Sequence, residues 1–380
     1  MKVAFIGQKG IPATFGGGVE RYVEAVASNL VKLNHEVFVY TRPYYTPAKR
    51  KKYEGVNLIS LPSIRTKNFD AISTVFLASI HTLFQDYDII HYQGVGPSLL
   101  SFIPRIFKPS AKVVVTFHSL DRLHAKWSKL AKLILTISEW TACKFPHQTI
   151  AVSKGLQVYC LKKYNTPTTF IPNGIYLDSK SDDKKVLSEF GLKKNKYFIA
   201  MSRLVAHKRI EDVINAFMKI NNPDFKLVII GGSSYTDDYQ TFLQQLAADD
   251  QRIVFTGFLS GERLFTIMKN SLALASASED EGMPITILEV MSLGVPVILS
   301  DIRGHRELGD NLIYFDLYDV KKLQKEMQYV LKNTKKVKAA AKLQQKMIIN
   351  DYNWDDIAKS IAEVYRQDIV APQSLGNTLF

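Results

Sequence analysis

Three observations predict an α/β protein made of two doubly wound, Rossmann-like halves. Short apolar runs of strand length alternate with longer amphipathic runs from the first residue, the pattern of a parallel sheet covered on both faces. Asn173-Gly174, behind Ile171-Pro172, is a strong turn signal that interrupts the alternation. The same alternation then restarts at Tyr197.

In the first half the expected strands are Val3–Ile6, Glu36–Tyr40, Asn57–Leu61, Ile89–Tyr92, Val113–Phe117 and Thr149–Val152. An amphipathic helix over Gly17 to Leu33 joins the first two. In the second half they are Tyr197–Met201, Lys226–Gly231, Ile253–Phe255, Leu272–Ala275 and Val295–Leu299. Ser179-Lys180-Ser181-Asp182-Asp183 marks the linker. A last helix is expected from about Trp354 to Gln367, after a break at Asp351-Tyr352-Asn353, with a loose tail beyond. The expected division is 1–175, 176–350, a closing helix at 351–368 and a tail at 369–380.

At 380 residues and 46% hydrophobic content, the chain can bury two cores of ordinary size. No apolar run approaches the roughly 18 residues that span a bilayer, and the N-terminal apolar run is too short for a signal peptide. Cys143 and Cys160 have neither metal-ligand nor redox spacing, so reduced thiols in a cytoplasmic protein are expected. The net charge of +13 is unevenly spread. Residues 1–178 carry 22 basic and 10 acidic side chains, and residues 179–380 carry 27 and 26. The excess includes Lys49-Arg50-Lys51-Lys52 and the series Arg122, Lys126, Lys129, Lys132, spaced as on one helix face beside Trp127, Leu130 and Leu133. Such a surface would attract anionic lipid headgroups, although a merely solvated face is an open alternative. No nucleic-acid-binding motif accompanies the charge.

The chemistry concentrates in residues 278–296, where Glu281 and Glu289 stand eight positions apart across Gly282-Met283-Pro284. A helix is expected from about Pro284 to Leu293, with Gly294 ending it. The amides of Met283, Pro284's successors Ile285 and Thr286, and the open backbone at Gly282 would make an anion site at a helix N-terminus. Phosphate on amides with hydroxyls on flanking carboxylates suits a sugar nucleotide. Either glutamate alone is more readily read as a solvated side chain; the whole segment reverses that. Arg203 and Lys208, in one loop after Tyr197–Met201, can both fold around one diphosphate and stabilise its departing charge. Gly16-Gly17-Gly18 after the first strand would admit a charged ligand, and it departs from the Gly-x-Gly-x-x-Gly of dinucleotide oxidoreductases.

These segments resemble the retaining glycosyltransferases of family 4, which have the GT-B fold: two Rossmann-like domains facing across a cleft, with a C-terminal helix crossing back to the first. Glu281 and Glu289 match the Glu-x7-Glu signature, Gly17-Gly18-Val19-Glu20 the Gly-Gly-x-Glu element, and Arg203 and Lys208 the Gly-Arg-Leu and Lys-Gly pattern. Ser202 and Arg209 replace the two glycines of that pattern. The resemblance implies donor-sugar contact for Glu281, ribose contact for Glu289, and base contact at Gly257-Phe258. It also implies His118 beside the reacting face, Glu20 capping or ordering the site on the acceptor side, and Asp121 on an acceptor hydroxyl. The loop Ser300 to Glu307 also recurs in the family, with a structural role and minor ligand contact. His118-Ser119-Leu120-Asp121, with Ala125-Lys126-Trp127 and Ile11-Pro12-Ala13, is similar to bacterial polysaccharide rhamnosyltransferases.

The expected function is therefore transfer from a UDP-, GDP- or dTDP-sugar to a glycan or polyprenyl-diphosphate-linked acceptor, in polysaccharide or glycoconjugate assembly. No tightly bound cofactor, metal or nucleic acid is expected, and the setting is the inner face of an anionic membrane. Two rivals differ in class: a nucleotide-sugar 2-epimerase needing no acceptor, and a noncatalytic sugar-nucleotide or membrane-surface binding protein. Donor turnover with and without acceptor separates them.

Overall fold

The computed structural model describes residues 1–13, 17–66, 69–123, 127–176, 183–232 and 237–367. Phe15 and Gly16 of the glycine-rich loop, Lys126 of the basic series, linker residues 179–182 and the tail from Pro372 lie outside them. The chain divides into two compact units: one holds Met1–Ala13, Gly17–Pro172 and the chain from Trp354, the other Asn173–Asn353.

The first unit is an eight-stranded sheet of β1 (Lys2–Ile6), β2 (Glu36–Thr41), β3 (Lys52–Tyr53), β4 (Val56–Ser60), β5 (Ile89–Gln93), β6 (Lys112–Phe117), β7 (Gln148–Ala151) and β8 (Thr169–Phe170). Its order is β3-β4-β2-β1-β5-β6-β7-β8, parallel except for the antiparallel β3–β4 pair. Strands β5 and β6 are buried along their whole length, which is why they read as mainly apolar runs rather than alternating ones, with His91, Gln93, Lys112 and Thr116 the polar members. Helix Gly18–Lys32 buries Tyr22, Val23, Val26 and Leu30. On the same side it packs against the last helix, Trp354–Arg366. Trp354 sits edge-on to Tyr22 with ring centroids 5.7 Å apart, and the Tyr365 hydroxyl is 2.7 Å from His91 Nδ1. Buried Lys112 donates from Nζ to the carbonyls of Val364 and Gln367, 2.7 Å each, a cation on the helix's C-terminal oxygens.

The second unit is a parallel six-stranded sheet of β9 (Tyr197–Met201), β10 (Lys226–Ile230), β11 (Ile253–Gly257), β12 (Ala273–Ser276), β13 (Val297–Ser300) and β14 (Ile313–Phe315), ordered β11-β10-β9-β12-β13-β14. Its core joins Phe198, Ile214, Phe217, Ile229, Leu272, Ile298 and Phe315. In both sheets the order reverses beside the first strand, between β1 and β5 and between β9 and β12. Ligands of open α/β sheets bind at such switch points, outside the carboxyl ends of the strands.

Every strand expected from the sequence is present to within a residue or two. The short β3, β8 and β14 were not anticipated, nor were helices Val320–Lys332 and Thr334–Asp351. One expectation is overturned. Arg122, Lys129 and Lys132 do not share a helix: Arg122 lies in a 3-10 turn, Asp121–Leu123, and the helix starts at Lys129 with Ser128 as its cap. The reason is a partner further along the chain. Arg122 Nε is 2.8 Å from Glu139, a carboxylate with no exposed surface, so the guanidinium is drawn inward rather than out to solvent.

Candidate functional site

In the second unit the site is built from the loops that follow β9 and β12. Glu281 stands just before helix Ile285–Ser292, and Lys208 in a 3-10 turn, Ala206–Lys208, after β9. The Lys208 ammonium donates to Glu281 Oε1 at 2.5 Å, and Ser278 Oγ donates to the same oxygen at 3.0 Å. Burial works against the charged carboxylate, but Lys208 and then His305 outweigh it, so Glu281 is held below the usual carboxylate range. The amide of Glu279 donates to the His207 carbonyl at 2.9 Å, tying the two loops together through backbone as well.

A hydrogen-bond chain extends behind Glu281. Ser300 Oγ donates to the Ser278 carbonyl at 2.7 Å, and His305 Nδ1 lies 2.8 Å from the Ser300 carbonyl. That contact makes Nδ1 the protonated nitrogen, and burial holds the ring neutral, with its pKa lowered to about 4. Gly304 lets the Glu281 backbone come close, since a Cβ there would meet the Glu281 carbonyl oxygen at 2.1 Å. The loop 300–307 is thus a support for Glu281, a larger part than its sequence reading assigned. Asn173, read only as a turn residue, donates from Nδ2 to the Met283 carbonyl at 2.6 Å. No sequence signal distinguished that contact from an ordinary Asn-Gly turn.

The helix itself begins as expected within a residue: Pro284 is its N-cap, and Gly294 follows its end at φ +68°. The amides of Ile285 and Thr286 precede any intrahelical acceptor, leaving the N-terminal dipole open toward an anion. Gly282, Met283, Pro284 and Ile285 are buried, and Thr286 is half-buried. Glu289 is 2% exposed in a helix of otherwise mainly apolar residues, which removes the solvated-face reading of that glutamate. Arg203 is exposed and forms no ion pair among the described residues. Arg209, at a position where the family pattern has glycine, takes a left-handed φ of +48°. Two hydrogen bonds to Asp212, 2.6 and 2.9 Å, and the Tyr318 ring 4.7 Å away hold it there. Gly231, at the end of β10, admits the Ser202 carbonyl, which a Cβ would meet at 1.9 Å. Phe258 is 43% exposed after Gly257, the last residue of β11.

The first unit carries its own cluster. Gly17 is extended, and a Cβ there would meet the Glu20 carboxylate at 1.9 Å. Gly18 opens the helix. Glu20 Oε1 accepts from the Lys9 amide at 3.1 Å and Glu24 from the Ala13 amide at 2.8 Å. Glu20 is therefore already engaged in ordering the loop after β1. His118, after β6, donates from Nε2 to Gln93 Oε1 at 3.1 Å and packs edge-on against Tyr22, centroids 4.8 Å apart. Burial lowers its pKa to about 3, so the imidazole is neutral and Nδ1 bears the lone pair. Asp121 accepts from Ser119 Oγ at 2.7 Å. Behind it, Glu139 gathers Arg122, Lys163 and the hydroxyls of Tyr159 and Tyr164 at 2.6 to 3.1 Å.

Comparison with known proteins assigns both units. Residues 16–179 match the family model described as Glycosyltransferase Family 4, and residues 182–354 the one described as Glycosyl transferases group 1. An uncharacterized glycosyltransferase of Methanocaldococcus jannaschii is 27% identical over 405 aligned positions, covering 96% of this chain and 98% of that protein. The Escherichia coli UDP-Gal:alpha-D-GlcNAc-diphosphoundecaprenol alpha-1,3-galactosyltransferase is 30% identical over 62% of this chain and 64% of its own length. Among solved structures, Anabaena Alr3699/HepE in complex with UDP-glucose superimposes with a TM-score of 0.78 at 19% identity, over 96% of this chain and 99% of that one.

Proposed function

This chain belongs to the family-4-type glycosyltransferases of the GT-B fold, and on that premise we propose retaining transfer of a hexosyl or deoxyhexosyl group from a nucleotide sugar to a glycan. The observation that carries the reading is the Lys208–Glu281 pair beside an open helix N-terminus at the switch point of the second sheet. An anionic diphosphate suits the amides of Ile285 and Thr286 and the cations Arg203 and Lys208. Glu281 accepts donor-sugar hydroxyls, Glu289 the ribose, and the loop at Phe258 meets the base. The binding of UDP-glucose by the Anabaena protein supports a UDP-sugar among the candidate donors, beside GDP- and dTDP-sugars.

The first unit takes the acceptor role. Of its residues, we assign His118 to the transfer step and Asp121 to an acceptor hydroxyl. In the reaction, the acceptor oxygen attacks the anomeric carbon from the face the diphosphate leaves. The glycosidic C–O bond to phosphate breaks with its electron pair on the diphosphate, which takes the acceptor proton. The protein's part is positioning and charge stabilisation. A polyprenyl-diphosphate-linked acceptor is supported by the E. coli relative's name and by the basic excess of the first half. That acceptor places the enzyme peripherally on the inner face of an anionic membrane; among the described residues no helix is long and apolar enough to cross one. A thermal-shift screen of nucleotide sugars, followed by mass spectrometry of products on lipid-linked acceptors, tests the reading. Donor epimerisation without acceptor, or saturable binding without turnover, would overturn it.

A further inference from the structure

The first unit carries an exposed apolar face on three helices of one layer. The connections β4 to β5, β5 to β6 and β6 to β7 all cross the sheet in the same direction, so right-handed crossovers put helices Asp70–Leu83, Phe102–Phe107 and Lys129–Lys144 on one side. On Lys129–Lys144 the residues Leu130, Leu133, Ile134, Ile137 and Trp140 recur at helical spacing and are all exposed, Leu130 to 67%. Helix Phe102–Phe107 adds Ile106 and Phe107, and helix Asp70–Leu83 adds Phe76, with Phe84 at its end 80% exposed. The face is continuous. The first two helices in chain order pack on each other, and the rings of Phe102, Phe145 and Trp140 follow at 6.0 and 5.5 Å. Apolar patches of this kind mark interaction surfaces rather than ordinary solvent-facing protein.

The charges around it select the occupant. These three helices contain two carboxylates, and both are turned inward: Asp70 onto Arg42, with 14% of its side chain exposed, and Glu139 onto Arg122 and Lys163, with none. The exposed ionic groups are Lys129, Lys132 and Lys144, on the same helix as the apolar stripe. A second copy docked through this face would set lysine rim against lysine rim, with no exposed carboxylate on the three helices to meet it; Asp86 and Asp88, just past Phe84, are already engaged by Lys2. An anionic bilayer offers acyl chains to the stripe and headgroup charge to the lysines, whose stems can snorkel. We infer that this face inserts into the interface of an anionic membrane, so that docking is monotopic and apolar as well as electrostatic. The inference deepens the membrane part of the proposed function and rests on it only for its biological purpose.

The test is flotation of the full chain with vesicles of phosphatidylcholine alone or mixed with phosphatidylglycerol. Wild type should float with the mixed vesicles and keep part of that binding at high salt. Leu130→Gln with Ile137→Gln, at exposed positions, should lower partitioning about tenfold at every salt. Lys129→Gln with Lys132→Gln and Lys144→Gln should abolish the preference for phosphatidylglycerol while melting normally. Unchanged partitioning in the apolar variant overturns the inference. So does a wild-type dimer that ignores vesicles and is lost in that variant, which would give the face to a second copy. Transfer to a lipid-linked acceptor is assayed in parallel: its absence in wild type despite flotation sinks the acceptor reading and leaves the membrane face standing.

Discussion

Lys208 Nζ lies 2.5 Å from Glu281 Oε1, joining the loop after β9 to the loop after β12 across the reversal in strand order. The pair keeps Glu281 ionised, and in the proposed reaction it would present that carboxylate to sugar hydroxyls and Lys208 to the departing diphosphate. Lys208→Met should therefore raise the Glu281 carboxyl toward and above its ordinary value of 4.5, because burial is then unopposed by its main cation. The acid limb of the donor-binding profile should move to higher pH, read by titration calorimetry across pH 4 to 7. An unmoved limb would show that Glu281 does not govern donor binding.

Glu281→Gln and Arg203→Ala are each expected to cut transfer about a hundredfold at saturating donor with the fold intact, since one lost charge contact costs about 2.7–4 kcal/mol in the transition state. Near-normal turnover in both variants would falsify the site assignment.

Glu289 should behave differently. Its carboxylate is buried in the helix and assigned to the ribose. Glu289→Gln should weaken donor affinity together with turnover, measured as a Kd by thermal shift. Loss of turnover at unchanged Kd would contradict the ribose role.

His118 is half-buried and held neutral by desolvation, with a pKa near 3 against an ordinary 6.5. The unfolded chain therefore binds a proton that the native chain refuses between those values, and stability falls as pH drops from 6.5 toward 3. His118→Gln should flatten that fall by about one proton in urea melts at stepped pH. In NMR the wild-type imidazole should stay untitrated at pH 5; a midpoint near 6.5 would contradict its burial.

Glu139→Ala should destabilise the first unit by about 3–5 kcal/mol, because it strips a fully buried carboxylate from Arg122, Lys163 and two tyrosines. Calorimetry should show a lower midpoint for that unit, and Glu139→Gln, which keeps hydrogen bonds to both tyrosines, should recover part of it. Equal midpoints for all three proteins would mean the cluster contributes nothing.

Much of this fold was legible because the strands are buried on both faces, as in Val113–Phe117, and so stand out as mainly apolar runs. Pro284 and Gly294 were legible for local reasons, a helix start and stop that depend on near neighbours. What escaped depends on distance along the chain. Arg122 was assigned to a helix face by spacing, but a carboxylate 17 positions on, Glu139, holds it in a 3-10 turn. Asn173 reaches Met283, 110 residues away, and nothing in Asn-Gly announces it. The two-residue strands β3 and β8 owe their existence to the edges they pair with rather than to their own composition.

The anchoring of Trp354 on Tyr22, and of Lys112 on the carbonyls of Val364 and Gln367, bears on how the chain is made. The first unit is discontinuous in sequence: its sheet is complete by β8, and the helix that covers Tyr22 and His91 follows only after the whole second unit, so during synthesis the sheet emerges well before that helix. The second unit, continuous in sequence, can finish folding first, contrary to the usual N-terminal-first order. A ribosome stalled before Trp354 should therefore display a native second unit beside a protease-sensitive first one.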